Sequence, residues 1–430
     1  MVLGGKCLGE VCSVFCKKLH SLYLRGIINH KSIKMKKVVL FLSIILFFSC
    51  EQDKTIDINS LSKQYDIPSA VMGKISKDGT SQFYSFGPSR WDRNDTINER
   101  NIYRIASMTK AIAVVAALQL VEQNKIALDE PLDDILPEMS SIKIMDLNNQ
   151  LVSPKTSITL RHLLTHTAGF GYWFTSNRLK NWSKIKEDID WDSDYQPRLF
   201  ESGSSFMYGT NIDWVGVLIE KVSGMNLEDY LRENVTGPLG MDSTWFNVPE
   251  NLHPLIVGSL KRDRENNELT KNEFKTPNKV DRFNAGGGLY SSAEDYGKFL
   301  LCMLNKGKHQ NGQLINEETF DLMNTPQLSE FKQIWRNVDV PTIDINARGD
   351  KDSFMDSYDN WTLAWAYDEN SEVRPKGTAY WAGYFNTYFT IDFKNEFALV
   401  YMSQLLPFND YNSYNLFTSF EEEIYKQQSE

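Results

Sequence analysis

Residues 104–120 read RIASMTKAIAVVAALQL. Ser107 and Lys110 stand three apart at the head of an apolar run that meets no further charge until Glu122. On a helix, residues i and i+3 share a face about one turn apart. A helix beginning near Ser107 sets the hydroxyl among unpaired backbone N–H groups, which favour developing negative charge. It also carries the ammonium of Lys110 into apolar surroundings, where burial drives a Lys toward neutrality and lets it accept a proton. That is one route to an activated nucleophile. The same letters also fit a Ser N-cap followed by a Lys whose stem snorkels to water. Spacing alone leaves both readings open.

The 430 residues give room for two or three domains, or for one large enzyme with an elaborated second lobe. The 41% apolar and 24% charged content is that of a globular chain. Ten Trp, 19 Tyr and 24 Phe supply large rings for burial or for an aromatic-lined cleft.

The first 50 residues differ from the rest. Lys34, Lys36 and Lys37 flank a short apolar core, Val38 to Phe48, followed by Ser49 and Cys50. This is the layout of an export signal, too short to span a bilayer comfortably. It resembles a bacterial lipoprotein signal in which Cys50 is lipidated after cleavage, although Phe47 and Phe48 stand where smaller residues are usual. The expected organisation is therefore 1–34 outside the native product, with Met35 as the start. Residues 35–49 form the signal, 50–60 a polar tether, and 61–427 the catalytic domain. The expected location is exported and membrane-anchored through Cys50, in the periplasm or on the outer surface of a bacterium. Residues 1–50 hold eight of the 46 basic side chains and one of the 56 acids, which leaves the remainder at a net charge of −17. Such a surface repels nucleic acid. Past Cys50 only Cys302 remains, expected as a small core residue without a partner.

Along the chain, Ala70 to Phe86 has extended character, with Asp78-Gly79 as a hairpin turn. Ala106 to Glu122 is the clearest helix. Leu160 to Thr165 is a short helix ending near Gly169, and Gly171 to Ser205 shows no period. Ile212 to Ser223 is a helix closed by Gly224, Leu260 to Lys279 a solvated loop, and Gly286-Gly287-Gly288 a backbone-dominated turn. Ser292 caps a helix over Ala293 to Asn305. Between Trp361 and Leu405 three runs are β-like. Strands early, helices in the middle and strands at the end describe an α+β fold: an antiparallel sheet flanked by helices, closed from both chain ends, with a mostly helical second lobe.

No Gly-x-Ser-x-Gly elbow occurs, which disfavours an α/β-hydrolase, and no His-Glu-x-x-His occurs. His162 and His166, four apart in LRHLLTHTAGF, have no acidic third ligand nearby and are expected to be structural, with no metal and no cofactor.

Five stretches then appear in order: RIASMTK, LRHLLTHTAGF, FMYGTNIDWVGVLIEKVSG, NAGGGLYSSAEDYGKFL and YWAGYFNTYFTIDFKNEFALVYMSQLLP. Together they resemble the serine β-lactamase superfamily over roughly residues 60 to 407. The likeness is to its class C-like branch, which holds D-alanyl-D-alanine carboxypeptidases and related esterases. The resemblance implies Ser107 as the acylated nucleophile and Lys110 as its partner. Tyr208 would be the Tyr that acts with that Lys as general base. A phenol ordinarily keeps its proton to about pH 10, so a base of this kind needs a cation beside it. The resemblance further implies that the N–H groups of Ser107 and Tyr384 form an oxyanion hole, and that Gly383 lets substrate approach the strand.

Two positions depart from the family pattern. Thr210 stands where an Asn is common, with Asn211 one later, and Trp381 stands where β-lactamases carry a cation for the substrate carboxylate. An indole cannot pair with a carboxylate. The expected activity is therefore acyl-enzyme hydrolysis of small neutral esters. A β-lactamase or D-alanyl-D-alanine carboxypeptidase, and an inactive binding protein on the same scaffold, are the alternatives. The expected partner is a small-molecule ester or amide. Phe170, Tyr172, Trp173 and Phe174 fit an acyl pocket and plain packing equally well.

Overall fold

A computed structural model describes residues 56–185, 195–263, 265–328 and 359–429. The expected signal segment and Cys50 lie outside the described residues. The chain enters the fold early. Asp57 caps α1 (Ile58–Gln64), accepting from the Ser60 N–H at 3.1 Å, and Ile56 and Ile58 are buried. Residues 56–60 thus belong to the folded body, not to the expected tether.

The expected hairpin is present as β1 (Ala70–Ser76) and β2 (Ser81–Phe86), turning through Gly79 at φ 92°, a backbone state open to Gly. β3 (Ile102–Arg104) leads into a 3₁₀ turn, Ala106–Met108, and on into α2 (Thr109–Glu122). The helix of the 104–120 stretch exists, but its first turn is 3₁₀ and Ser107 lies in that turn. From Thr109 to Leu120 every residue of α2 is buried. A helix that is apolar all round belongs in the interior.

Three helices of the middle region follow: α3 (Leu160–Leu164), α4 (Asn177–Ile185) and α5 (Asn211–Ser223). α5 stops at Gly224, φ 72°, as its sequence indicates. α4 falls in the stretch expected to be irregular. Leu179 and Trp182, three apart, are buried, so this helix has an apolar edge that the reading of the stretch as irregular passed over. The expected solvated loop from Leu260 also needs correction. It contains β4 (Leu260–Arg262) and β5 (Leu269–Lys271), which pair antiparallel. Arg262 is buried, donating from Nε to Asp410 at 2.8 Å and from Nη1 to Asp66 at 2.9 Å. A paired interior charge reads, in composition, like a solvated one.

β6 (Tyr290–Ser292) pairs with β3, and α6 (Ala293–Leu304) begins at the expected Ser292 cap, whose hydroxyl accepts from the Asp295 N–H at 3.1 Å. The three β-like runs resolve into more strands than runs, because two of them turn back on themselves. They give β7 (Asn360–Trp361), β8 (Ala366–Tyr367), β9 (Ala379–Gly383), β10 (Thr387–Asp392) and β11 (Phe397–Met402). β12 (Leu405–Leu406) joins β4, and α7 (Tyr411–Ser429) closes the chain.

One sheet runs β7-β8-β9-β10-β11-β1-β2, antiparallel throughout. The two ends of the chain meet inside it, with Val71 opposite Met402. The α+β reading holds. Every residue of β10 and β11 is buried, and alternation divides the faces. Ala398, Val400 and Met402 face the large core shared with α2, α5 and α6. Phe397, Leu399 and Tyr401 face a second core, made with α1 and with Leu416, Phe417 and Phe420 of α7. Each Val, Leu, Met or Phe among them contributes about 1.5–3 kcal/mol on full burial. Cys302 is buried on α6 and free of disulfides, and burial pushes its thiol up to about 12. Among the described residues no helix is long and apolar enough to cross a membrane.

Candidate active site

The turn that carries Ser107 is wedged between the sheet and the helical lobe. Ile105 N–H donates to the Leu289 carbonyl at 3.1 Å, Tyr296 Oη to the Met108 carbonyl at 3.0 Å, and Thr387 Oγ1 to the Ile105 carbonyl at 3.3 Å. Ala106, just before Ser107, sits at φ 44°. A side-chain-bearing residue held there costs about 1–2 kcal/mol, and such strain persists only where surroundings fix it. Gly383, at the end of β9, presses on the same turn. A Cβ there would stand 2.2 Å from both the Ile105 carbonyl oxygen and Thr387 Oγ1. Gly383→Ala is therefore expected to push the strand off the Ser107 turn and lower ester turnover by at least about 10²-fold, the usual result of an ångström of misplacement. Steady-state rates on a p-nitrophenyl ester check this. Tyr384 follows Gly383 directly, so its backbone reaches the same place, while its ring is half-exposed.

Lys110 is buried, and its ammonium has three hydrogens. It donates to Ser107 Oγ at 3.2 Å, to Tyr172 Oη at 3.1 Å and to the Gly286 carbonyl. The Gly286 N–H in turn donates to Asp213 Oδ1 at 3.2 Å. Burial pushes Lys110 toward neutrality, but Tyr172, Tyr208 and Asp213 outweigh it and hold the ammonium above its ordinary value. This corrects the expectation of a Lys drifting to neutral. The net shift favours the ammonium form. Burial likewise raises the Asp213 carboxyl, with Lys110 pulling it back in part.

Tyr208 lies beside this cation, its ring centroid 4.8 Å from Lys110 Nζ. The indole Nε1–H of Trp381 donates to the Tyr208 oxygen at 2.9 Å. An indole N–H can only donate, so Trp381 directs its polar hydrogen at Tyr208. The Tyr208 ring is gripped by His166 at 4.5 Å, Trp381 at 4.8 Å and Trp361 at 5.8 Å between centroids.

The structure brings Ser107, Lys110, Tyr208 and Trp381 together, with Gly383 and Tyr384 on the adjoining strand end. Thr210 stands at the start of α5, its carbonyl accepting from the Asp213 N–H. Asn211, one later, is fully buried and donates from Nδ2 to the Phe170 and Met207 carbonyls and toward His166 Nδ1. Its amide ties loops together. His162 completes the cap of α3 with Thr159. His166 is fully buried, and burial holds its pKa well below the usual imidazole value. Of the four aromatic residues left between pocket and packing, Phe170 is core, tilted against Trp214. Tyr172 reaches Lys110 with Phe174 stacked on it at 4.9 Å, and Trp173 is half-exposed. Sequence reasoning missed the Tyr172 hydroxyl, Asp213 and the Gly286 carbonyl. The signals were present, in the rings after Gly171, in the acid five residues past Tyr208 and in the triple Gly, but nothing local tied them to Lys110.

A serine hydroxyl hydrogen-bonded to a buried Lys, with a donor-held phenol beside it, is the equipment of a serine hydrolase. The chain belongs to the Beta-lactamase family, whose model matches residues 57–418. It is 28% identical over 393 residues to the monacolin J acid methylbutanoyltransferase of Aspergillus terreus, covering 85% of this chain and 93% of that protein. It is 32% identical over 171 residues to the lovastatin esterase of Penicillium rubens, 36% of this chain and 43% of that one. Among solved structures, unliganded simvastatin synthase from Aspergillus terreus superposes with a TM-score of 0.74 at 28% identity, covering 87% of this chain and 99% of that one. These relatives make acyl-enzyme hydrolysis or acyl transfer the chemistry of this fold and place the protein among serine-hydrolase-type enzymes.

Proposed function

We propose that Ser107 is acylated by neutral carboxylic esters and passes the acyl group to water or to an alcohol. The Tyr208 phenolate takes the Ser107 proton, and Lys110, the ammonium beside it, stabilises the negative charge that the phenolate carries before the transfer. The Ser107 oxygen attacks the carbonyl carbon, and the oxyanion rests on the N–H groups of Ser107 and Tyr384. The leaving alcohol departs, and water or a second alcohol repeats the sequence in reverse.

The observation that carries this reading is the Trp381-to-Tyr208 hydrogen bond. The position that would pair with a substrate carboxylate holds a neutral donor turned onto the base. A β-lactam or D-alanyl-D-alanine substrate has no cation there to meet its carboxylate. Acyl transfer is supported by the methylbutanoyltransferase relative, and hydrolysis by the lovastatin esterase relative.

The test is a panel of p-nitrophenyl esters, a chromogenic cephalosporin and a D-alanyl-D-alanine peptide, each with Ser107→Ala as control. Ester turnover that vanishes in Ser107→Ala supports the reading. Cephalosporin or peptide turnover without ester turnover overturns it in favour of the carboxylate-recognising activities.

Export with lipidation at Cys50 is proposed from the segment KKVVLFLSIILFFSC alone. The full chain expressed in a bacterial host is expected in the membrane fraction, and Cys50→Ser in the soluble one. A Cys50→Ser protein that stays with the membrane removes the lipid from the proposal.

A further inference from the structure

Four acceptors converge on Lys110, and its ammonium carries three hydrogens. Ser107 Oγ, Tyr172 Oη and the Gly286 carbonyl accept them in the structure. The Tyr208 phenol is a further hydrogen-bond partner within reach of the same nitrogen. The two phenols therefore compete for one cation, and they differ in what else holds them. Tyr208 receives the Trp381 N–H and is enclosed by three rings. Tyr172 is stacked on Phe174 at 4.9 Å and is half-buried at the site. Its oxygen accepts from Lys110, which leaves its own hydrogen free to point elsewhere. Two acceptors on one tetrahedral ammonium, each near 3 Å, stand about 5 Å apart. The Tyr172 oxygen is thus about 5 Å from the nucleophile, the span that the carbon and leaving oxygen of an ester bound to Ser107 would bridge.

We propose that Tyr172 is a second catalytic phenol, the acid that protonates the leaving oxygen, with Lys110 relaying protons between Tyr208 and Tyr172. This rests on the acyl-transfer reading. When the tetrahedral intermediate collapses, the bond from the carbonyl carbon to the leaving oxygen breaks and its electron pair stays on that oxygen. Tyr172 gives its hydroxyl proton to the oxygen and takes one from Lys110. Lys110 is refilled by the proton that Tyr208 took from Ser107. Tyr208, Lys110 and Tyr172 end as they began, Ser107 is an ester, and an alcohol has left. In transfer the relay runs backward: Tyr172 takes the proton of the incoming alcohol as its own passes to Lys110, Lys110 gives one to Tyr208, and Tyr208 returns one to the Ser107 oxygen as the acyl group leaves it. Burial, which keeps the Tyr172 hydroxyl protonated above the ordinary phenol range, suits it to donate.

The chemistry supplies a specific readout. A p-nitrophenolate leaves without help, whereas an alkoxide needs a proton, and a positioned acid is worth about 10²–10⁴-fold. Tyr172→Phe keeps the stacked ring and removes the hydroxyl. Turnover of an ethyl ester is expected to fall at least about 10²-fold, and that of the p-nitrophenyl ester of the same acid by about tenfold or less. An equal loss on both esters, or no loss on either, overturns the proposal, since a merely structural Tyr172 has no reason to sense the leaving group. Ser107→Ala is run beside it. Turnover surviving in Ser107→Ala refutes the acyl-enzyme itself, whereas a dead Ser107→Ala with an even Tyr172→Phe loss removes only the role of Tyr172.

Discussion

Lys110→Met is expected to lower ester turnover by about 10⁴-fold or more, the scale seen when one member of a nucleophile unit is removed, while the protein stays folded. The Met side chain fills similar volume but offers no hydrogen to Ser107, Tyr172 or the Gly286 carbonyl. Exchanging a buried charge for an apolar side chain of like size is often neutral for stability. Here the Gly286 carbonyl is left without its donor and Asp213 without its counter-charge, at about 1–3 kcal/mol. For a chain of this length that is a drop of a few degrees in Tm. Rates on a p-nitrophenyl ester and a thermal melt, measured on the same sample, separate the two effects. Turnover above about one per cent of the parent would mean that the ammonium is not needed.

Tyr208→Phe is expected to cost about 10³-fold in kcat, within the range for a positioned general base, with KM changed little. The phenyl ring keeps the packing against His166, Trp381 and Trp361. The lost oxygen leaves the Trp381 N–H without the acceptor it has at 2.9 Å. A KM that rises while kcat holds would make Tyr208 a substrate contact and leave Ser107 without an identified base.

The sheet was legible because its strands alternate. Ala398, Val400 and Met402 against Phe397, Leu399 and Tyr401 is a pattern any reader can split into two faces. α2 was legible because twelve buried residues leave no polar face to misread. The convergence of Ser107, Lys110 and Tyr208 was legible through the order of five motifs, not through spacing. What escaped is of two kinds. Where charge is buried, composition misleads. Arg262 between Asp410 and Asp66 turned a sheet edge into an apparent loop. Where loops distant in the chain meet, nothing local marks the meeting. Tyr172 and Gly286 come to Lys110 from 62 and 176 residues away, and Asp213 reaches it through the Gly286 N–H. These partners are also what reverses the expected state of Lys110. An apolar sequence context says that the ammonium is desolvated. Only the fold says that it is surrounded by acceptors.

The most direct measurement is peptide-level mass spectrometry after brief incubation with p-nitrophenyl butyrate and an acid quench. Ser107 as nucleophile predicts one butyryl group, on the peptide that carries Ser107, and none on the Ser107→Ala protein. A butyryl group on another residue, or active turnover with no trapped acyl group under any quench, would contradict it.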